Sequence, residues 1–188
     1  MTTSALLVAL ALTTSPEPVL ARSGEVPKES LLRGSARVVV RYLDAVRLAG
    51  PLGPLRAGDM VPVRADQYAA AMRLIAPRTR DELERRDAAG EPHPLAFWRD
   101  AARAHVLDSF QLLAVRRGPR ATAIVTVEER HLDPAADARR LLRTVSEYLV
   151  ARAGGEWRIV DRRPGGAFDA RAIAAYAGYW DEPASAER

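Results

Sequence analysis

Gly154 and Gly155 stand between two runs of β-branched and aromatic residues, RLLRTVSEYLVARA before them and EWRIVDRR after them. A Gly-Gly pair supplies the left-handed backbone that a two-residue hairpin needs, with a twist that suits the flanking strands. This dipeptide commits the C-terminal half of the chain to antiparallel pairing. Upstream, HVLDSFQLLAVRR and ATAIVTVEERHL flank Gly118-Pro119 and read as a second hairpin, and Asp133-Pro134 leads on to the third strand.

The first half has a different periodicity. In SARVVVRYLDAVRLAG, Val39, Leu43 and Val46 recur at i, i+4 and i+7, which predicts an amphipathic helix with Ser35 as N-cap and Gly50-Pro51 as its stop. Asp44 lies three residues from both Arg41 and Arg47, the spacing of a surface ion pair. The stretch 51–63 holds prolines and two internal glycines and reads as an irregular connection. A second helix is predicted over 66–75. A third is predicted to start at Thr79, where Thr79-Arg80-Asp81-Glu82 fits a capping box, and its charged composition predicts a solvated helix. A short helix over 94–103 and a terminal one over 168–180, with Ile173, Tyr176 and Trp180 on one stripe, complete the pattern. Helices first and an antiparallel meander afterwards predict an α+β fold with the helices packed on one face of a curved sheet.

The closing Gly-Gly-Glu-Trp-Arg-Ile-Val-Asp, taken with a long first helix, smaller helices and long antiparallel strands, resembles the nuclear-transport-factor-2-like (SnoaL-like, cystatin-like) superfamily over about 35–163. The resemblance implies a strongly bent sheet wrapped into a cone around the helices. The connection at 51–63 and the charged helix at 79–90 are longer than in compact members, and the C-terminal helix is an addition. Members of that superfamily include dehydratases, isomerases, transport adaptors and non-catalytic modules, so the resemblance implies a fold and no particular reaction.

The opening MTTSALLVALALTTSPEPVLARS has an apolar run over 5–12 followed by a break and Val19-Leu20-Ala21, the pattern of a secretory signal peptide. The domain organisation expected is therefore a leader over 1–21, a linker over 22–34, one domain over 35–180 and a frayed tail over 181–188, in a secreted or periplasmic protein with no permanent membrane span. Absence of cysteine excludes disulfides, thiolate metal sites and a cysteine nucleophile. Net charge is +4, and Lys28 is the only lysine beside the many arginines. Basic and acidic residues alternate rather than cluster, which argues against a nucleic-acid partner.

Candidate chemistry follows from strand alternation. Ala123, Val125, Val127, Glu129 and His131 share one face of a strand. If that face is buried, Glu129 is expected to have a raised pKa and His131 to act beside it as a proton shuttle, the general-base arrangement that the resemblance implies inside a cone. The competing expectation, favoured by the nearby Asp133-Pro134 turn, puts both at a strand end in solvent. Asp108 shares the alternation of Val106, Phe110 and Leu112 and is expected to point inward, either as a catalytic carboxylate in the cone or as the partner of an arginine from a neighbouring strand. Tyr42, Trp98, Phe110, Tyr148 and Trp157 are candidate walls of a ligand cavity or members of the core. His93, His105 and His131 fall on separate elements without metal-ligand spacing, so no metal and no cofactor is expected. The sequence thus predicts a non-catalytic exported domain that binds a small apolar ligand or an envelope protein partner, with a homodimer through the sheet as one form. The alternative is a cofactor-independent dehydratase or isomerase using a carboxylate in the cone.

Overall fold

The structure is a computed structural model, and it describes residues 19–20, 30–48, 65–97, 106–132 and 141–180. The elements are β1 (Val19–Leu20), α1 (Ser30–Leu48), α2 (Ala65–Met72), α3 (Pro77–Ala88), a 3-10 turn at Pro94–Ala96, β2 (Val106–Arg117), β3 (Ala123–Leu132), β4 (Leu141–Ala153), β5 (Glu156–Pro164) and α4 (Ala170–Ala174). The fold is α+β, helices followed by a curved, unclosed antiparallel sheet in the order β1-β2-β3-β4-β5. The two-residue β1 pairs with the edge of β2 at Ala114 and Val115; it falls inside the segment that the sequence suggests is a leader.

The β4–β5 turn is the Gly-Gly hairpin, with φ of +62° at Gly154 and +78° at Gly155. In the β2–β3 connection the left-handed residues are Arg120 and Ala121 rather than a glycine. Gly118 precedes them and donates its backbone N–H to Thr122.

One face of the sheet packs on α1. Val39, Tyr42, Leu43 and Val46 from α1 join Ala123, Val125 and Val127 of β3, Leu107, Leu112 and Val115 of β2, Tyr148 and Val150 of β4 and Ile159 of β5 in the main core. The helix starts at Ser30, so Ser35 is a buried residue of its interior and not its N-cap, and α1 takes in the last residues of the expected linker. Gly34 sits against the Trp157 ring: a Cβ there would lie 2.7 Å from Trp157 Cδ1.

The opposite face is covered at one end by the chain after β5. Ile124, Leu149, Ala151 and Val160 pack against Phe168, Ile173 and Trp180 in a second, smaller core. Asp169 caps α4 by accepting from Ala172 N at 2.7 Å. Regular helix stops at Ala174, short of the predicted Trp180, because the chain continues in turns with Gly178 at φ +93°. The Ile173–Tyr176–Trp180 stripe nevertheless faces the sheet.

Two irregularities in strand pairing decide which side chains face inward. On β5, Leu149 pairs with Asp161 but Val150 with Ile159, so Val160 is an extra, bulged residue. On β2, Asp108 and Leu113 are extra in the same way. The β5 bulge is held from outside the sheet. Ile159 N donates to Leu74 O and Ala76 N donates to Ile159 O, both at 2.8 Å, and Thr79 Oγ1 donates to Val160 O at 2.7 Å. These bonds cover the free edge of β5 with the α2–α3 connection. They also correct the start of α3, which begins at Pro77 with no side-chain cap; the Thr79 hydroxyl is engaged by β5 instead of by its own helix.

Thr79→Val keeps the shape and removes that donor. We expect a loss of about 1–2 kcal/mol in urea unfolding, with Thr79→Ser close to wild type; equal stability of all three proteins would refute the role given to this bond.

Candidate functional site

Of the candidates read from the sequence, Glu129, His131 and Tyr148 come together in a buried polar cluster. Glu129 stands in β3 opposite Phe110 on one side and Thr144 on the other. Its side chain is fully buried, at 0% exposure. Tyr148 Oη donates to Oε1 at 2.5 Å, and Arg162 Nε donates to the same oxygen at 3.1 Å. Arg162 Nη2 donates to Oε2, which also meets His131 Nε2 at 3.1 Å. A carboxylate accepts only, so Nε2 of His131 carries the hydrogen in this contact. Each oxygen of Glu129 has two donors, and its roughly four acceptor positions are filled.

The pKa of Glu129 follows from this arrangement. Burial pushes it up, but the hydrogen bond from His131, the charge and hydrogen bond of Arg162 and the Tyr148 hydroxyl together overcome that and bring it from 4.5 to about 2. Burial acts against the charge on Arg162, and the neighbouring Tyr148 and Glu129 outweigh it, so its pKa is raised. Burial first, then Glu129, holds the Tyr148 phenol well above its usual value. The structure therefore differs from both expectations for Glu129: it is neither at a solvated strand end nor a carboxyl with raised pKa, because a buried guanidinium faces it.

The 3-10 turn seals the cluster. Arg162 Nη1 donates to Pro94 O at 2.9 Å, Tyr42 Oη donates to Leu95 O, and the Phe97 ring lies 4.2 Å from the Arg162 guanidinium and edge-on to His131 at 5.5 Å. His93, read as a loop residue, accepts from Leu95 N through Nδ1 and caps this turn. Desolvation lowers its pKa.

Asp108 is not in the cluster. It occupies a bulge of β2, so Leu107 rather than Asp108 joins Phe110 and Leu112 on the inner face. Asp108 is half-buried and accepts from Ser109 Oγ at 3.1 Å. Among the aromatic candidates, Tyr42 and Tyr148 are fully buried and meet edge to face at 6.1 Å, while Phe110 and Trp157 are half-buried against the core. Trp98 and His105 lie outside the described residues.

Arg162 is the cluster member the sequence did not single out. Period-2 alternation from Trp157 and Ile159 puts Asp161 inward and Arg162 outward; the extra Val160 reverses them. Asp161 instead accepts from Tyr176 Oη at 2.5 Å on the outer side, and burial with that bond raises the Tyr176 pKa. Beside it Arg116 bridges Glu147 at 3.1 Å and Phe168 O at 2.7 Å, and Phe168 N donates to Glu147 at 2.6 Å. Farther along, Glu128 pairs with Arg130 and Arg143, next to the exposed Leu141 and Val145.

Among the described residues no group of three or more His, Cys, Asp or Glu is placed to hold a metal ion, and no helix is long and apolar enough to cross a membrane. No protein-family model, no curated protein and no solved structure matches the sequence.

Glu129 has a folded pKa below its unfolded one, so its contribution is complete above about pH 4.5 and is lost as pH falls towards 2. The full linkage corresponds to about 3 kcal/mol. Urea unfolding between pH 7 and 2.5 should show a loss of this order that Glu129→Gln lacks. At pH 7 that variant should be destabilised by about 3–5 kcal/mol, since it leaves Arg162 buried without its counter-charge. The paired replacement Glu129→Leu with Arg162→Met should cost less than the single one; additive losses would refute the pairing.

Proposed function

We propose that this chain is a non-catalytic, exported domain of nuclear-transport-factor-2-like build, with the sheet bent as a cone, that works by binding a small apolar ligand or a protein partner on an outer surface. The observation that carries the reading is the saturation of Glu129. A general base needs a free lone pair within reach of substrate. Here both carboxylate oxygens already accept two bonds, the pKa lies near 2, and the turn at Pro94–Ala96 covers the group. Tyr42 and Tyr148, the candidate cavity walls, are fully buried members of the core.

The family part of the proposal is supported by the helix-first order and the Gly154–Asp161 hairpin. Export is supported by the leader pattern of the sequence. The terminal Tyr176 and Trp180 pack on the protein's own sheet, which argues against a free docking role for that segment.

Carbethoxylation with diethyl pyrocarbonate separates this reading from the enzyme alternative. His131 is 4% exposed, and under the proposal it reacts roughly 100-fold more slowly in the native protein than in urea, because modification needs local opening. Rapid native modification of His131, or protection of it by an added carbonyl compound, would favour a substrate-accessible cone.

A further inference from the structure

Away from the buried cluster, and sharing no residue with it, an open groove of about 560 Å3 runs between α1 and α2. Arg41, Asp44 and Ala45 form its α1 wall, and Asp66, Gln67, Ala70, Arg73 and Leu74 the other. The spacings 41/44/45 and 66/70/73 each mark one helical face, so the groove is the outward meeting of two helices whose opposite stripes enter the core. Two small residues, Ala45 on α1 and Ala70 on α2, line it.

The charges in this groove are not balanced. Asp44 pairs with Arg47 at 3.2 Å and not with Arg41, which is equally spaced from it in sequence. Asp66 lies in the first turn of α2, where its negative charge favours the amide end of the helix, and it has a partner of its own. Arg41 and Arg73 are exposed and make no ion pair among the described residues. Gln67 makes no side-chain hydrogen bond there either, and its Oε1 is buried without a partner. Among the described residues the acids are engaged and the two guanidinium groups are not.

Resting on the binding-domain reading, we propose that the α1–α2 groove binds an amphipathic carboxylate: the anion between Arg41 and Arg73, its apolar part over Ala45, Ala70 and Leu74. Planar guanidinium donors match a carboxylate's two oxygens, and the Gln67 amide loses no hydrogen bond on turning its NH2 towards the anion. The groove lies within the size range of small-molecule sites. Its openness and its exposed arginines predict modest, salt-sensitive affinity.

The test is a titration of the full chain with butyrate, hexanoate and octanoate, the matching alcohols, and inorganic phosphate, followed by amide chemical shifts. The expected result is that affinity rises with chain length, the alcohols bind at least ~10-fold more weakly (one lost charge-assisted contact), and the perturbed amides centre on Arg41, Ala45, Ala70 and Arg73. Arg41→Ala with Arg73→Ala should weaken octanoate by a similar ~10-fold factor with unchanged unfolding, because both side chains are exposed. Phosphate binding as tightly as octanoate would overturn the role of the apolar floor, and no binding by any carboxylate would overturn the groove proposal while leaving the sealed interior to stand on His131 protection. Shifts centred on Glu129, His131 and Arg162 would overturn both.

Discussion

The ion pair between Glu129 and Arg162 is the constraint around which the rest of the structure is arranged. Neither group is accessible to water, and an isolated charge in such a place is penalised by several kcal/mol. Each is tolerable only because the other is present with its remaining polar positions satisfied. Tyr148 and His131 complete the carboxylate, while Pro94 O and the Phe97 face complete the guanidinium. Three strands and the turn after α3 must therefore be correctly placed at once. Such a cluster adds little net stability over an apolar core of equal volume, but it penalises every arrangement in which one partner is missing.

The pair exists only because β5 is one residue longer than its partner at Val160. That bulge is fastened by Thr79, Leu74 and Ala76, none of which touches the cluster. The helical layer and the sheet are thus coupled in two ways: through apolar burial along α1, which is tolerant of detail, and through hydrogen bonds at the β5 edge, which are not. The second coupling fixes the phase of β5 and hence which of two adjacent charged residues, Asp161 or Arg162, enters the core. Asp161 on the outer side then becomes available to Tyr176, so the same bulge also anchors the chain that follows the sheet.

What was legible in the sequence follows from this division. Patterns governed by local geometry could be read: the Gly154-Gly155 turn, the Val39–Leu43–Val46 stripe, and the shared face of Ala123 to His131 on β3, which is free of bulges. Patterns that depend on a residue inserted into one strand could not. Asp108 is placed by strict alternation and Arg162 is passed over, and in both strands an extra residue breaks the alternation. Nothing at Val160 announces a bulge, since valine suits a regular strand equally well. Thr79 was misplaced for a related reason. A threonine followed three residues later by glutamate signals a helix start locally, but a buried strand carbonyl competes for the same hydroxyl. The opposite sign of the Glu129 pKa shift has the same origin, because burial alone raises a carboxyl and only knowledge of Arg162 reverses the direction.

Saturation of the interior bears on where binding can act. An interior whose carboxylate, phenol, imidazole and guanidinium are mutually satisfied gains nothing from a polar ligand unless the ligand replaces every bond it breaks. An apolar ligand would have to displace Tyr42 or Tyr148, which are packed and hydrogen-bonded. On the outer surface the balance is different. At the α1–α2 groove Arg41 and Arg73 are exposed and make no ion pair among the described residues, so a ligand there would exchange solvent for a counter-charge without disturbing the fold. The groove is also built by the faces of α1 and α2 that are opposite to those buried in the main core. Its shape is set by the same helix packing that closes the core, and a rigid interior is what holds that outer surface in place.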